Sequence, residues 1–151
     1  MKKRLQVITT IFLVALSAGC IAEDYDFTPP SVTLSSPDSS QSEKLTEANI
    51  KWTGENNKLE EKRIDDVLSY ANEQEQLTFQ PGQKIDLLFD SEDFMVEDLE
   101  AALWKDGAEQ ELPLDKQRSF TFPEEKGTYI LVVDLDADSG LAQYVGNIEI
   151  K

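Results

Sequence analysis

Gly127-Thr128-Tyr129-Ile130-Leu131-Val132-Val133-Asp134-Leu135 is the stretch from which the fold can be predicted. Its apolar residues at positions 129, 131, 133 and 135 share one side of an extended chain, because successive strand side chains point to opposite faces. After a polar turn the alternation returns through Tyr144, Gly146, Ile148 and Ile150. Two alternating runs joined by a short polar turn predict an antiparallel pair of strands.

The same period of two recurs upstream at short intervals. The further runs are Ile85, Leu87 and Phe89 after a Pro81-Gly82 turn, then Leu99, Ala101 and Leu103, then Leu112 and Leu114, then Phe120 and Phe122. Asp106-Gly107, which follows the second of these runs, is a strong hairpin signal. The pattern predicts about seven short strands between Leu77 and Ile150, which is typical of an antiparallel sandwich or barrel.

Three short motifs in these strands resemble an immunoglobulin-like domain. They are Gly82-x-x-Ile85-x-Leu87-x-Phe89 at strand B, Trp104-Lys105-Asp106-Gly107 at the end of strand C, and Glu125-x-Gly127-x-Tyr129 at the tyrosine corner that opens strand F. Leu103 has the register of the usual core tryptophan. The resemblance places Phe89 and Leu131 at the positions of the usual disulfide. It implies a mainly β fold, an antiparallel Ig-like β-sandwich, with residues 77–151 as its core.

Residues 45–76 have a mixed pattern. Ile50 and Trp52 alternate within 48–53, which predicts a strand. Between Lys58 and Glu75 the apolar residues Ile64, Val67, Leu68 and Ala71 fall at i, i+3, i+4 and i+7. This stripe predicts one short amphipathic helix. We expect it to pack on the core, and the alternative is a helix that docks a partner.

The start of the chain has the features of a secretory signal. Met1-Lys2-Lys3-Arg4 is cationic, and the uncharged run that follows from Gln6 to Ala18 is too short for a membrane span, which needs roughly 20 residues. The run ends in Leu16-Ser17-Ala18-Gly19-Cys20, which resembles the lipobox of bacterial lipoproteins. The alternative is an ordinary signal peptide with a free cysteine.

The lipobox resemblance implies that residues 1–19 are cleaved as a signal peptide and that Cys20 carries a diacylglycerol anchor. Two acyl chains hold a protein stably on a membrane. The expected location is therefore the extracytoplasmic face of the cell membrane. The whole pattern looks like the small lipoproteins of low-GC Gram-positive bacteria. Residues 20–44, which are acidic and rich in serine and proline, are predicted to form a flexible tether. Within it, Val32-Thr33-Leu34 is a candidate edge strand because Pro30 precedes it.

Charge and composition exclude several classes of function. The chain has 30 acidic and 14 basic residues, a formal net charge of −16, and loss of the signal peptide would remove only basic ones. Such a surface repels nucleic acid. The chain has no histidine and one cysteine, so triads based on histidine, histidine-ligated zinc and a disulfide framework are excluded. We therefore expect no enzymatic activity and no cofactor apart from the lipid.

Asp134, Asp136 and Asp138 form the one acidic cluster with regular spacing. Alternate aspartates in a loop can supply three oxygen ligands to Ca²⁺, and the cluster resembles the first half of an EF-hand loop. It departs from that loop because Ser139 stands at the invariant glycine position and Val145 at the bidentate glutamate position. The alternative is a polar hairpin loop in which Asp138-Ser139-Gly140 makes the turn.

Together these features predict a membrane-anchored lipoprotein that acts as a non-enzymatic binding or accessory module. Its expected partner, besides the membrane, is a protein or a cell-wall polymer. The alternative function is a Ca²⁺-binding or Ca²⁺-stabilised structural protein of the cell surface, and a hydrolase built on paired carboxylates is a formal third. The sequence identifies neither the ligand nor the oligomeric state.

Overall fold

The computed structural model describes residues 28–151. The predicted signal peptide (1–19), the predicted lipidation site Cys20 and the first part of the predicted tether lie outside the described residues. Within them the chain forms eleven strands, a short 3-10 turn at Glu55–Asn57 and one α-helix, α1 (Val67–Asn72). The strands are β1 (Val32–Ser35), β2 (Ser42–Lys44), β3 (Thr46–Thr53), β4 (Leu59–Lys62), β5 (Gln76–Phe79), β6 (Lys84–Phe89), β7 (Val96–Lys105), β8 (Ala108–Glu111), β9 (Ser119–Thr121), β10 (Gly127–Ala137) and β11 (Gly140–Ile150).

The strands form two sheets packed face to face. One has four strands in the order β2-β1-β6-β9, and the other has seven, with the path β4-β3-β11-β10-β7-β8. Strand β5 pairs in parallel with the second half of β11, beyond the part that pairs with β3. The inward-facing side chains of both sheets, among them Leu34, Ile85 and Leu131, make one buried core. The fold of residues 28–151 is thus a mainly antiparallel Ig-like β-sandwich with one short helix, as predicted.

Two of the three Ig-like motifs have the structure that the resemblance implied, at the tyrosine corner and at Leu103. The Tyr129 hydroxyl donates to the Glu125 carbonyl oxygen at 2.8 Å, which forms the tyrosine corner. Leu103 is buried in the core, whereas Trp104 lies on the other face of the same strand. Leu131 is fully buried, while Phe89 is only partly buried and packs its ring against Phe94, with centroids 5.9 Å apart.

The helix is shorter than predicted. Residues 59–62 form β4 and pair with β3 instead of continuing the helical stripe. Helix α1 begins at Val67 because the Asp66 carboxylate accepts from the Ser69 backbone N–H at 3.0 Å. The hydrogen bonds that the Ser69 backbone N–H and hydroxyl donate to Asp66 also lower the pKa of this carboxyl group. The predicted stripe still packs on the sheet, with Ala71 fully buried. In residues 59–62, pairing with the edge of β3 therefore favours a strand over the helix that the apolar stripe predicts.

The predicted tether extends too far along the chain. Val32 and Leu34 are fully buried, and β1 lies between β2 and β6 rather than at an edge. Residues 32–44 and 45–76 therefore belong to the same sandwich as 77–151. Pro30 still precedes the strand, and its carbonyl oxygen accepts a hydrogen bond from the buried Tyr144 hydroxyl, which ties residue 30 to the core.

Candidate functional site

The outer face of the seven-stranded sheet is divided into a covered half and an open half. Helix α1 packs on the covered half, where Ala48, Val132 and Val145 lie beneath it. The side chain of Asn147 on β11 donates to the carbonyl oxygens of Asn72 and Gln74 and so satisfies the carboxyl end of the helix. The helix therefore leaves the other half of this face uncovered.

The open half carries six carboxylates on three neighbouring strands. They are Asp98 and Glu100 on β7, Glu109 and Glu111 on β8, and Asp134 and Asp136 on β10, all of them exposed. On β7 and β10 the neighbours of these residues, such as Leu99 and Leu135, point into the core, so the acidic residues lie on the outer surface. The register of β8 with β7 puts Glu109 and Glu111 on that same surface. We call this set of six residues the acidic face.

Like charges stand directly opposite one another on the acidic face. Asp134 is paired with Glu100 across β10 and β7, and Asp136 is paired with Asp98. Opposed like charges in an antiparallel sheet are destabilising. None of the salt bridges among residues 28–151 involves a residue of the acidic face, the pairs being Arg63–Asp65, Lys84–Asp115, Lys105–Glu125, Arg118–Glu92 and Lys151–Glu149. Within residues 28–151, no basic side chain therefore forms an ion pair with the acidic face.

A chain of side-chain amides marks the boundary between the two halves and orients one carboxylate. The Asn49 amide oxygen accepts from the Ile64 backbone N–H at 2.7 Å, and the Asn49 amide nitrogen donates to Gln143 at 2.8 Å. Gln143 in turn donates to the Asp134 carboxylate at 2.8 Å. The segment before helix α1 is thus connected to the acidic face by three consecutive hydrogen bonds.

The acidic face contains two adjoining depressions, with volumes of about 320 and 370 Å³, and Asp98, Glu100 and Asp134 line both. One has an apolar wall made by residues 112–114, and the other is bordered by the half-exposed Leu141. Carboxylates beside apolar walls are suited to Lys and Arg side chains, which bury their alkyl stems on apolar surface and keep the charged group in a polar environment.

The three aspartates of the predicted calcium loop do not converge. Asp134 and Asp136 lie on β10, and Asp138 begins the two-residue turn to Gly140. Because strand residues two apart are separated by roughly 6.8 Å, the three carboxylates follow the strand instead of surrounding one point. Asp138 accepts from the Met95 backbone N–H at 2.9 Å, which is the role of a turn residue. No group of three or more carboxylate or cysteine side chains in residues 28–151 is placed to hold a metal ion.

The sequence pattern identified Asp134 and Asp136 but not the other members of the acidic face. Asp98 and Glu100 alternate with Leu99 and Ala101, so the strand pattern did place them on an outer face. What the pattern lacks is the strand register, because only the pairing of β7 with β10 brings the four carboxylates together.

Neutralising one member of an opposed pair is expected to stabilise the domain. Asp136→Asn keeps the side-chain shape and removes the repulsion with Asp98, so we expect the free energy of unfolding to rise by about 0.5 kcal/mol at low salt. Urea unfolding measures this, with the exposed Glu75→Gln as the matched control. The gain should shrink with added NaCl, since salt screens exposed charges. An equal gain in both variants would mean that only net charge matters.

No protein-family model matches this chain, and no curated protein matches it significantly. Among solved structures, the chain is similar to the extracellular domain of a protein from B. thetaiotaomicron that is provisionally described as a one-component system. The identity is 17%, the TM-score is 0.37, and the match covers 82% of this chain but 16% of the other. Within the described residues, no helix has the length and apolar character of a membrane span.

Proposed function

We propose that this chain is a lipid-anchored, extracytoplasmic binding module without enzymatic activity, and that it holds a cationic partner on the acidic face. The observation that carries the binding role is the two pairs of opposed carboxylates, Asp134–Glu100 and Asp136–Asp98. Such an arrangement costs stability in the free protein. A partner with positive charges removes that cost when it binds, so the affinity includes relief of the repulsion.

The shape of the face supports an extended peptide segment rich in lysine and arginine as the partner. The two depressions adjoin along the row of Asp98, Glu100 and Asp134, and apolar walls border them. Lys51 is a basic residue on the neighbouring strand β3. It pairs with Leu141 and not with a residue of the acidic face, and on its other side it stands opposite Glu61 on β4. The anchor is supported by the lipobox resemblance that ends at Cys20.

Binding of a short Lys/Arg-rich peptide, followed by fluorescence anisotropy, tests the role of the face. The triple variant Glu100→Gln/Asp134→Asn/Asp136→Asn is expected to weaken binding about tenfold, which corresponds to about 1.4 kcal/mol. The matched control is Asp38→Asn/Glu73→Gln/Glu75→Gln, which removes the same charge from exposed positions elsewhere. The control should bind nearly as well as the unmodified protein.

Equal weakening by the two triple variants would contradict the proposal. In that case the peptide would respond to the net charge of the protein and not to a site. The salt dependence provides a second measurement, because binding through exposed carboxylates must weaken as ionic strength rises.

A further inference from the structure

The described part of the chain begins at one end of the sandwich. Pro29 and Pro30 are buried there, and the Ser31 backbone N–H donates to the Asp90 carboxylate at 2.7 Å. The register of β1 with β6 places Val32 opposite Phe89, at the end of β6. We call this the entry end. It comprises residues 28–31, the β6–β7 loop (90–95), the β10–β11 turn (138–139) and the β3–β4 connection (54–58).

The large apolar side chains that are exposed in residues 28–151 all lie within the entry end or one or two residues from it. They are Leu59 (52% exposed), Leu88 (50%), Met95 (70%) and Leu141 (52%). Leu59 is the first residue of β4, Leu88 is next to the last residue of β6, and Leu141 follows the first residue of β11. Met95 precedes β7, and its backbone exchanges hydrogen bonds with Asp138 in the β10–β11 turn.

The proposed anchor lies close to this end in the sequence. Because an extended residue spans at most ~3.3–3.6 Å, the chain from Cys20 to Pro29 reaches at most about 30 Å. Strands β10 and β11 have 11 residues each and are therefore roughly 37 Å long. A lipid at Cys20 thus keeps the entry end near the membrane. The opposite end of the sandwich lies one strand length away from residues 28–31.

The charges at the entry end limit how deeply it can enter a bilayer. Asp90, Glu92, Asp93 and Asp138 all lie there. Asp90 and Asp138 accept from the backbone N–H groups of Ser31 and Met95, and Glu92 pairs with Arg118 at 3.3 Å. These carboxylates are expected to stay in the headgroup layer and to disfavour anionic lipid.

We propose that the entry end rests on the headgroup layer of the bilayer, with Met95 and Leu141 as its apolar contacts. This inference rests on the lipid anchor proposed above, and it adds the orientation of the domain. The strands then stand away from the membrane and the acidic face points sideways. Leu141 lies at the membrane edge of that face, and the depression beside residues 112–114 stays accessible to a partner. Apolar side chains at such an interface are buried by about 5–10 Å.

Fluorophores on introduced cysteines test the orientation in the lipidated protein. The proposed diacylglycerol thioether on Cys20 occupies the only native thiol, so Asp93→Cys at the entry end and Ser40→Cys in the β1–β2 turn at the opposite end each give a single label. The proteins are placed in phosphatidylcholine vesicles that carry a headgroup spin label, with and without phosphatidylglycerol. Quenching at position 93 is expected to exceed that at position 40 by about twofold or more, since contact is limited to the interface. Phosphatidylglycerol should reduce the difference.

Equal quenching at the two positions would overturn the orientation. Adding Met95→Ser/Leu141→Ser to the Asp93→Cys protein should bring the ratio toward one, and an unchanged ratio would overturn the apolar contact. Failure of the anchor itself has a different signature, because a protein without introduced cysteines would then accept the label at Cys20 and would not float with the vesicles. Unchanged melting temperatures would confirm that these exposed substitutions leave the fold intact.

Discussion

Gly140→Ala is expected to lower the free energy of unfolding by about 2–4 kcal/mol, which combines backbone strain with a steric clash. Gly140 begins β11 with a φ of +139°, a conformation that residues with a side chain rarely adopt. A Cβ at this position would collide with the Lys51 carbonyl oxygen on β3 and would lie 3.1 Å from the Trp52 Cα. Neither contact can be relieved by rotating a side chain. Urea or thermal unfolding measures the loss.

Gly107→Ala is the matched control for this substitution. Gly107 also has a positive φ, +77°, in the β7–β8 hairpin, but an added Cβ would meet nothing within 4 Å. Its cost should be limited to the left-handed backbone, about 1–2 kcal/mol. If the two variants lost equal stability, the close approach of β11 to β3 would not be the cause. The glycine after the Asp-rich turn thus has a structural role that needs no metal ion.

Cys20→Ala is expected to move the protein completely from the membrane fraction to the medium. Membrane binding by acyl chains gains about 0.8 kcal/mol per buried CH₂, so loss of both chains removes the anchor. The mass of the wild-type protein should exceed that of the chain from Cys20 onward by the mass of the lipid. Fractionation and mass spectrometry measure these two properties.

Thr28→Ala serves as the control for the cysteine variant. Thr28 is exposed and lies just before the buried prolines, so this change keeps Cys20 and the start of the fold. It should remain in the membrane fraction. An unmodified wild-type protein that is fully secreted would contradict the lipidation and would leave the ordinary signal peptide as the explanation.

The long strands could be predicted from the sequence because each follows the alternation over many residues. Strands β10 and β11 show this best, since their inward residues are almost all apolar. Strands β1 and β2 have only four and three residues and lie among serines and prolines, so their composition suggested a tether. What places them is the pairing of β1 with β6, a contact between residues far apart in the sequence.

The acidic face was only partly predictable for the same reason. The sequence shows which side of its own strand each carboxylate occupies, but not which strand lies alongside. Asp98 becomes the neighbour of Asp136 only through the register of β7 with β10. The first part of the predicted helical segment was wrong for a related reason, because residues 59–62 pair with β3 and no local pattern reveals that pairing.

Strand β11 has neighbours along both sides for most of its length. Strand β10 covers one side, while β3 pairs with its first half on the other side and β5 pairs with residues 147–150. Unpaired strand edges are the sites at which β proteins associate with other chains. Strands β3 and β5, which come before and after helix α1 in the sequence, therefore cover successive parts of the same edge of the long, apolar β11. A fragment lacking residues 28–53 would present the first half of β11 as an open template for aggregation.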